Sequence, residues 1–270
     1  MRKVKFLSVI KISTVVLSMV AGFTGATYGV NSVYAEDVEI RDNIETSASS
    51  GKIIIGVEGY DYTSAQQDII ERINEIRHEA CYAGNVPNPN KTSEYLKPSD
   101  YKPIQLGVSC TKAATIRSAE GAVRLAHVRP NSYACNTVLS HFLGSSMVSS
   151  AENLAWSNDH SSDLEQWYGE KKYWVDKNTS YETGHYTTLI NPNYTYCGIA
   201  TFNPDNDEIY TSSGWKADWC CTAGSFSSTD VAIAENNYKD KQNKPVIQKM
   251  EMTPSNVINI TGTYTSKNTP

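Results

Sequence analysis

Residues 162–202 read SDLEQWYGEKKYWVDKNTSYETGHYTTLINPNYTYCGIATF, and the hydrophobic period changes within them. Ser162-x-x-Glu165 has the form of a capping box, a hydroxyl and a carboxylate placed to satisfy the first amides of a helix. Leu164, Trp167, Lys171, Trp174 and Val175 follow at helical spacing and predict a helix. From Tyr196 to Phe202 the spacing shortens to that of a strand. Asn203-Pro204-Asp205-Asn206 then reads as a turn and Glu208–Ser212 as a second strand.

Upstream the signals are helical. Thr63 or Ser64 is placed to cap a helix in which Ile69, Ile73, Ile76 and Ala80 share one face, with Glu71, Arg72, Glu75 and Glu79 on the others. The proline- and asparagine-rich stretch from Val86 to Asn90 ends it. A second helix is expected from Thr111 to about Ala126, with Ala113, Ile116, Ala119 and Val123 facing inward. Helices that mostly precede strands predict an α+β fold, helices packed on a central antiparallel sheet. Residues 36–61 read as a linker with one apolar run, Ile53-Ile54-Ile55, and residues 62–230 as the globular domain. Residues 231–270 read as a polar, lysine-rich tail in which Pro254 to Tyr264 is at most an undeveloped strand.

At 270 residues and 40% hydrophobic content the chain is too apolar for disorder and long enough for a real core. Its amino terminus has the marks of a secretory signal. Arg2, Lys3, Lys5 and Lys11 are followed by the apolar run VVLSMVAGF (15–23) and by Val33-Tyr34-Ala35, which predicts cleavage after Ala35. Gly22, Thr24, Gly25 and Thr27 leave the run too short and too interrupted to span a membrane. Without residues 1–35 the chain carries 20 basic against 29 acidic residues, a net charge of −9. Such a surface repels nucleic acid and anionic lipid, so neither is an expected partner. The expected location is extracellular, free or associated with the cell wall.

All six cysteines, Cys81, Cys110, Cys135, Cys197, Cys220 and Cys221, follow Ala35. An even number in an exported chain suggests disulfides, with 15 possible pairings. If the strand region folds back on itself, Cys197 is expected to reach Cys220 or Cys221, while those two neighbours fit a mutual bridge badly. No Cys-x-x-Cys is present, so a thiolate zinc finger or redox dithiol is not supported.

Two histidines and two glutamates stand in suggestive local contexts. His127 precedes the turn Arg129-Pro130-Asn131-Ser132, and His185 follows Gly184. Glu152 opens Glu-Asn-Leu-Ala, and Glu170 lies three residues after Trp167 on the same predicted helix face. In order, His127-Val128-Arg129-Pro130, Ala151-Glu152-Asn153-Leu154-Ala155, Trp167-Tyr168-Gly169-Glu170 and Gly184-His185-Tyr186-Thr187-Thr188 resemble the motifs of the CAP (SCP-domain) family of cysteine-rich secretory, antigen 5 and pathogenesis-related proteins. Ile73-Asn74-Glu75-Ile76-Arg77 is similar to that family's first helix, and the resemblance covers roughly residues 62–226. Thr188 and Asn191 depart from the family's usual glutamine and tryptophan. Asp218-Trp219-Cys220-Cys221 replaces its second signature, so sterol binding is not implied.

The resemblance implies an α-β-α sandwich with a cleft on whose floor His127, Glu152, Glu170 and His185 converge. It also implies a divalent ion, typically zinc, held by the two imidazoles with the glutamates lining the site; no other cofactor is expected. Such a donor set suits zinc, with water filling the open positions. The same four residues could instead form a satisfied polar network. His141 competes with His127 for the first place, whereas His78 and His160 have no comparable partners in sequence. The expected function is an extracellular module binding a small ligand, a peptide or a surface component. The alternative is a zinc-assisted hydrolase with Glu152 or Glu170 as general base. A serine such as Ser132 activated by a histidine is a third reading. The sequence lacks His-Glu-x-x-His and Gly-x-Ser-x-Gly, which weighs against an enzyme.

Overall fold

A computed structural model describes residues 39–42, 49–63, 65–138, 151–157, 162–204 and 220–253. In chain order its elements are β1 (Glu39–Asp42), β2 (Ile53–Thr63), α1 (Gln66–Tyr82), β3 (Pro87–Asn88), β4 (Lys91–Tyr95), β5 (Gln105–Leu106) and α2 (Val108–Val123). Then follow β6 (Ala151–Ser157), α3 (Asp163–Gly169), α4 (Lys171–Val175), α5 (Gly184–Ile190), β7 (Tyr196–Pro204), β8 (Cys220–Ser227) and β9 (Gln242–Met252). The main sheet runs β1-β9-β2-β7-β8-β6, with β5 added in parallel to the start of β7. Its long pairings are antiparallel, so the α+β class stands.

Strand alternation sorts the core into two layers, because successive side chains point to opposite faces. Cys197, Ile199 and Phe226 face one way, onto Ile70, Ile73 and Ile76 of α1, Trp167 of α3 and Tyr186 and Leu189 of α5. Phe202, Cys221, Ala223 and Leu154 face the other way, onto Ala119, Ala122 and Val123 of α2. Gly198 lets α2 approach. A Cβ there would sit 2.2 Å from the Cys110 carbonyl carbon and the Thr111 nitrogen.

Several expectations are corrected by the sheet. Residues 36–61 are not only a linker and residues 231–270 not only a tail. β2 and β9 pair over eleven residues, from Ile53 opposite Met252 to Thr63 opposite Gln242. In β9, Val246, Gln248, Met250 and Met252 are buried at period two, whereas Ile247 and Lys249 between them are only partly buried and Lys244 is exposed. The lysines made a half-buried strand resemble a solvated tail. Strand Glu208–Ser212, the segment Pro254–Tyr264 and the signal sequence lie outside the described residues.

Helix boundaries shift for tertiary reasons. Thr63 ends β2, and α1 starts at Gln66 after Ala65. Ser162 flanks α3 without a side-chain capping bond, and Glu165 instead grips Arg72 of α1 at 2.8 and 3.2 Å. The expected long third helix breaks at Glu170 into α3 and α4. Helix α2 starts at Val108 because Asp230, 120 residues away, accepts from the amides of Ser109 (3.1 Å) and Cys110 (2.8 Å). Gly107 makes room, since a Cβ there would meet the Asp230 carboxylate at 2.2 Å.

The expected disulfide is also corrected. In the β7–β8 register Cys197 lies opposite Phe226, and Cys221 opposite Phe202. Five residues of strand separate those positions, roughly 17 Å at about 3.4 Å per residue, against the ~7 Å limit for a bridge. The two side chains also enter opposite core layers. All six cysteines are thiols. Burial pushes Cys197 up to about 12, and Cys110 and Cys221 are raised as well.

Candidate functional site

Helix α2 is buried on almost all sides, yet it carries Arg117 and Glu120 on adjacent turns. Charges placed there must be paired. Arg117 Nη1 donates to Glu120 Oε2 at 2.7 Å, and Glu120 in turn takes Arg129 Nη2 at 2.8 Å and Nε at 3.1 Å. The same Arg117 clamps Glu152 of β6, Nε to Oε2 at 2.6 Å and Nη2 to Oε1 at 3.1 Å. His127 completes the chain with Nδ1 2.9 Å from Glu152 Oε1. The result is a ladder of alternating sign, Arg129–Glu120–Arg117–Glu152, with His127 at its outer end.

The ladder assigns work to the motif around His127. Arg129 is an anchor, and it fixes a turn closed by Arg129 N–H to Tyr133 O (2.8 Å) and by Cys135 N–H to His127 O (3.3 Å). Asn131 Nδ2 donates to Glu251 of β9 at 3.0 Å, so the strand read as tail steadies this turn. His127 itself is 58% exposed while the carboxylate holding it is 6% exposed. Ser132 does not meet an imidazole in this turn; its hydroxyl pairs with Thr253 at 3.1 Å.

A second histidine–carboxylate pair is built from α3 to α5. Glu170, at the break between α3 and α4, accepts from the amides of His185 (2.9 Å) and Tyr186 (3.0 Å) at Oε2. Its Oε1 lies 2.6 Å from His185 Nδ1. The imidazole stacks on Trp167, ring centroids 6.2 Å apart, and keeps 27% of its side chain exposed. Asn153 ties this pair to β6 by donating to the His185 carbonyl at 3.0 Å.

The four predicted residues are therefore brought together as two pairs. Glu152 and Asn153 are successive residues of β6 and serve opposite sides of it, the first toward Arg117 of α2 and the second toward His185 of α5. Among the described residues, the one group of three or more ligand types within 4.8 Å of one another is His127, Cys135 and Glu152, and His185 and Glu170 are not in it. Cys135 is the residue that sequence reasoning missed as a neighbour of His127. The bridge between Val128 and Ala134 folds the chain back around the Arg129–Ser132 turn; the sequence marked the turn but not the residue it brings across.

Electrostatics follow the same pairing. Burial pushes the Glu152 carboxyl up, but the hydrogen bonds and charges of His127 and Arg117 outweigh it and hold it below the usual range. Burial likewise raises Glu170, and the His185 ring with the amides of Tyr186 and His185 more than offsets it. Each carboxylate accepts at one Nδ1. With Nδ1–H donating, the Nε2 lone pair of each imidazole is left for a ligand, the arrangement in which a carboxylate orients a metal-binding histidine. Next to Glu152 and Cys135 opens a cavity of about 190 Å³, with Ala113, Ala114, Val138 and Ala151 on its walls. His78 stacks on Tyr82, while His141 and His160 lie outside the described residues.

No protein-family model matches this chain, and no curated protein matches it. No helix among the described residues is long and apolar enough to cross a membrane.

Proposed function

We propose that this chain is an extracellular CAP-type binding module whose cleft takes a divalent cation, zinc by donor chemistry, through His127 and His185. The reading also takes the protein to be exported with loss of residues 1–35. The observation that carries it is the pair of carboxylate-held imidazoles: Glu152 and Glu170 each engage an Nδ1 and leave an Nε2 available. Zinc, when bound, supplies a Lewis acid able to hold a carbonyl, carboxylate or water oxygen of a small ligand or peptide. The chain's own residues orient that ion and seat the ligand. The apolar cavity beside Glu152 is the natural seat for a small side group.

Binding is preferred over hydrolysis for a specific reason. A general base for water works best near neutral pH. Both glutamates are instead held below the ordinary carboxylate range and are committed to their histidines. The test is the melting temperature of the mature protein against zinc concentration. It should rise with the logarithm of zinc above the dissociation constant, since zinc binds the folded state. The rise should shrink at acid pH, where imidazoles are protonated. His185→Ala and His127→Ala should each abolish it; a parent and His185→Ala that respond equally would place the metal elsewhere.

A further inference from the structure

We infer that Cys135 is a metal ligand, a thiolate donor beside His127, which makes the site selective for thiophilic cations. This rests on His127 being a ligand, as proposed above, but not on His185. A ring nitrogen of His127, the Cys135 sulfur and a Glu152 oxygen lie within 4.8 Å of one another. Tetrahedral zinc, with bonds of about 2.3 Å to sulfur and about 2.0 Å to nitrogen, sets those two atoms roughly 3.5 Å apart. The remaining closure falls on His127, which is 58% exposed and stands on a turn rather than in the core. Cys135 is half-buried and lines the cavity, whereas the other five cysteines are buried.

Charge makes the sulfur necessary. Arg129, Glu120, Arg117 and Glu152 cancel one another, so a dication arriving at His127 meets no net negative charge. Moreover, Arg117 donates to both oxygens of Glu152 and weakens that carboxylate as a donor to a cation. Cys135 corrects the balance when the ion binds. Its thiol loses a proton to solvent, the sulfur takes the vacated pair to the metal, and the site gains one negative charge. Glu152 remains on Arg117 and orients the imidazole. A site of imidazole and thiolate ranks zinc, cadmium and cobalt far above magnesium or calcium.

The experiment titrates the mature full-length protein, kept reduced by a non-thiol reductant, with Co²⁺. Absorption in the near ultraviolet reads thiolate-to-cobalt charge transfer, and competition with Zn²⁺ reads affinity. The parent should develop the band to one equivalent. Cys135→Ser and Cys135→Ala should both lose it and bind zinc at least about tenfold more weakly, the usual cost of even an outer-shell change. A parent without the band, or either variant that keeps it, overturns the inference. His185→Ala separates the two proposals. A band retained in His185→Ala and lost in Cys135→Ser sustains the thiolate and removes His185 from the site. Zinc binding lost in His185→Ala and unchanged in Cys135→Ser does the reverse.

Discussion

Glu152 accepts a buried arginine on both oxygens and a half-exposed histidine on one, so it serves stability and site at once. Its carboxyl is depressed in the folded protein, which fixes the sign of its pH dependence. The stability it contributes is complete above the unfolded value of about 4.3 and is lost as pH falls through the folded one. Glu152→Gln should cost about 3 kcal/mol at neutral pH, because it leaves the buried Arg117 and Arg129 sharing the single carboxylate of Glu120. Urea melts of parent and variant should converge as the pH is lowered below 4, and a constant gap across pH would reject the assignment. Arg77 offers a contrast. It donates to four backbone carbonyls, those of Lys102, Leu189, Asn191 and Tyr194, and is 2% exposed. Its i,i+3 and i,i+4 neighbours announce a helix face but not a clamp on the Lys102 loop and the 189–194 segment, so its role was illegible before folding. Arg77→Met should destabilise by about 3 kcal/mol in thermal melts, through four carbonyls that lose their donor.

Among the elements, local chemistry was legible and remote chemistry was not. The stripe Ile69, Ile73, Ile76 and Ala80 predicted α1 because its period is written in four turns of one segment. β7 was legible from its branched and aromatic run. By contrast, the start of α2 is set by Asp230, a cap that no sequence window contains. Asp230→Ala should therefore weaken the protein by about 1 kcal/mol, the ordinary worth of a cap. Hydrogen exchange at Ser109 and Cys110 should speed up more than at the far end of α2, and equal change along the helix would deny the capping role. The capping box at Ser162 failed for a related reason: Glu165 finds Arg72 of α1 across the helix interface instead of a terminal amide. Of the candidate site, the two histidines and two glutamates stood out by their motifs. Cys135, Arg117 and Glu120 did not, since their meaning comes from a turn and a buried helix face.

In the whole molecule, the segments before and after the predicted domain meet at one end of the main sheet. β9 lies between β1 and β2, and its end holds the His127 turn through Glu251 and Thr253. A chain ended before Gln242 loses Val246, Met250 and Met252 from the core, at roughly 2 kcal/mol each. At about 2–4 °C per kcal/mol for a chain of this size, its melting temperature should fall by more than about 10 °C. An unchanged transition would restore the reading of residues 231–270 as a tail. The proposal stands or falls on whether His127 and His185, whose pairs engage edge strand β6 from opposite sides, reach one ion around that edge. The most direct test is anomalous scattering at the zinc edge from crystals of the zinc-loaded protein. One peak within about 2.1 Å of Nε2 on both histidines is the predicted result. A peak bonded to only one of them, or to neither, would contradict it.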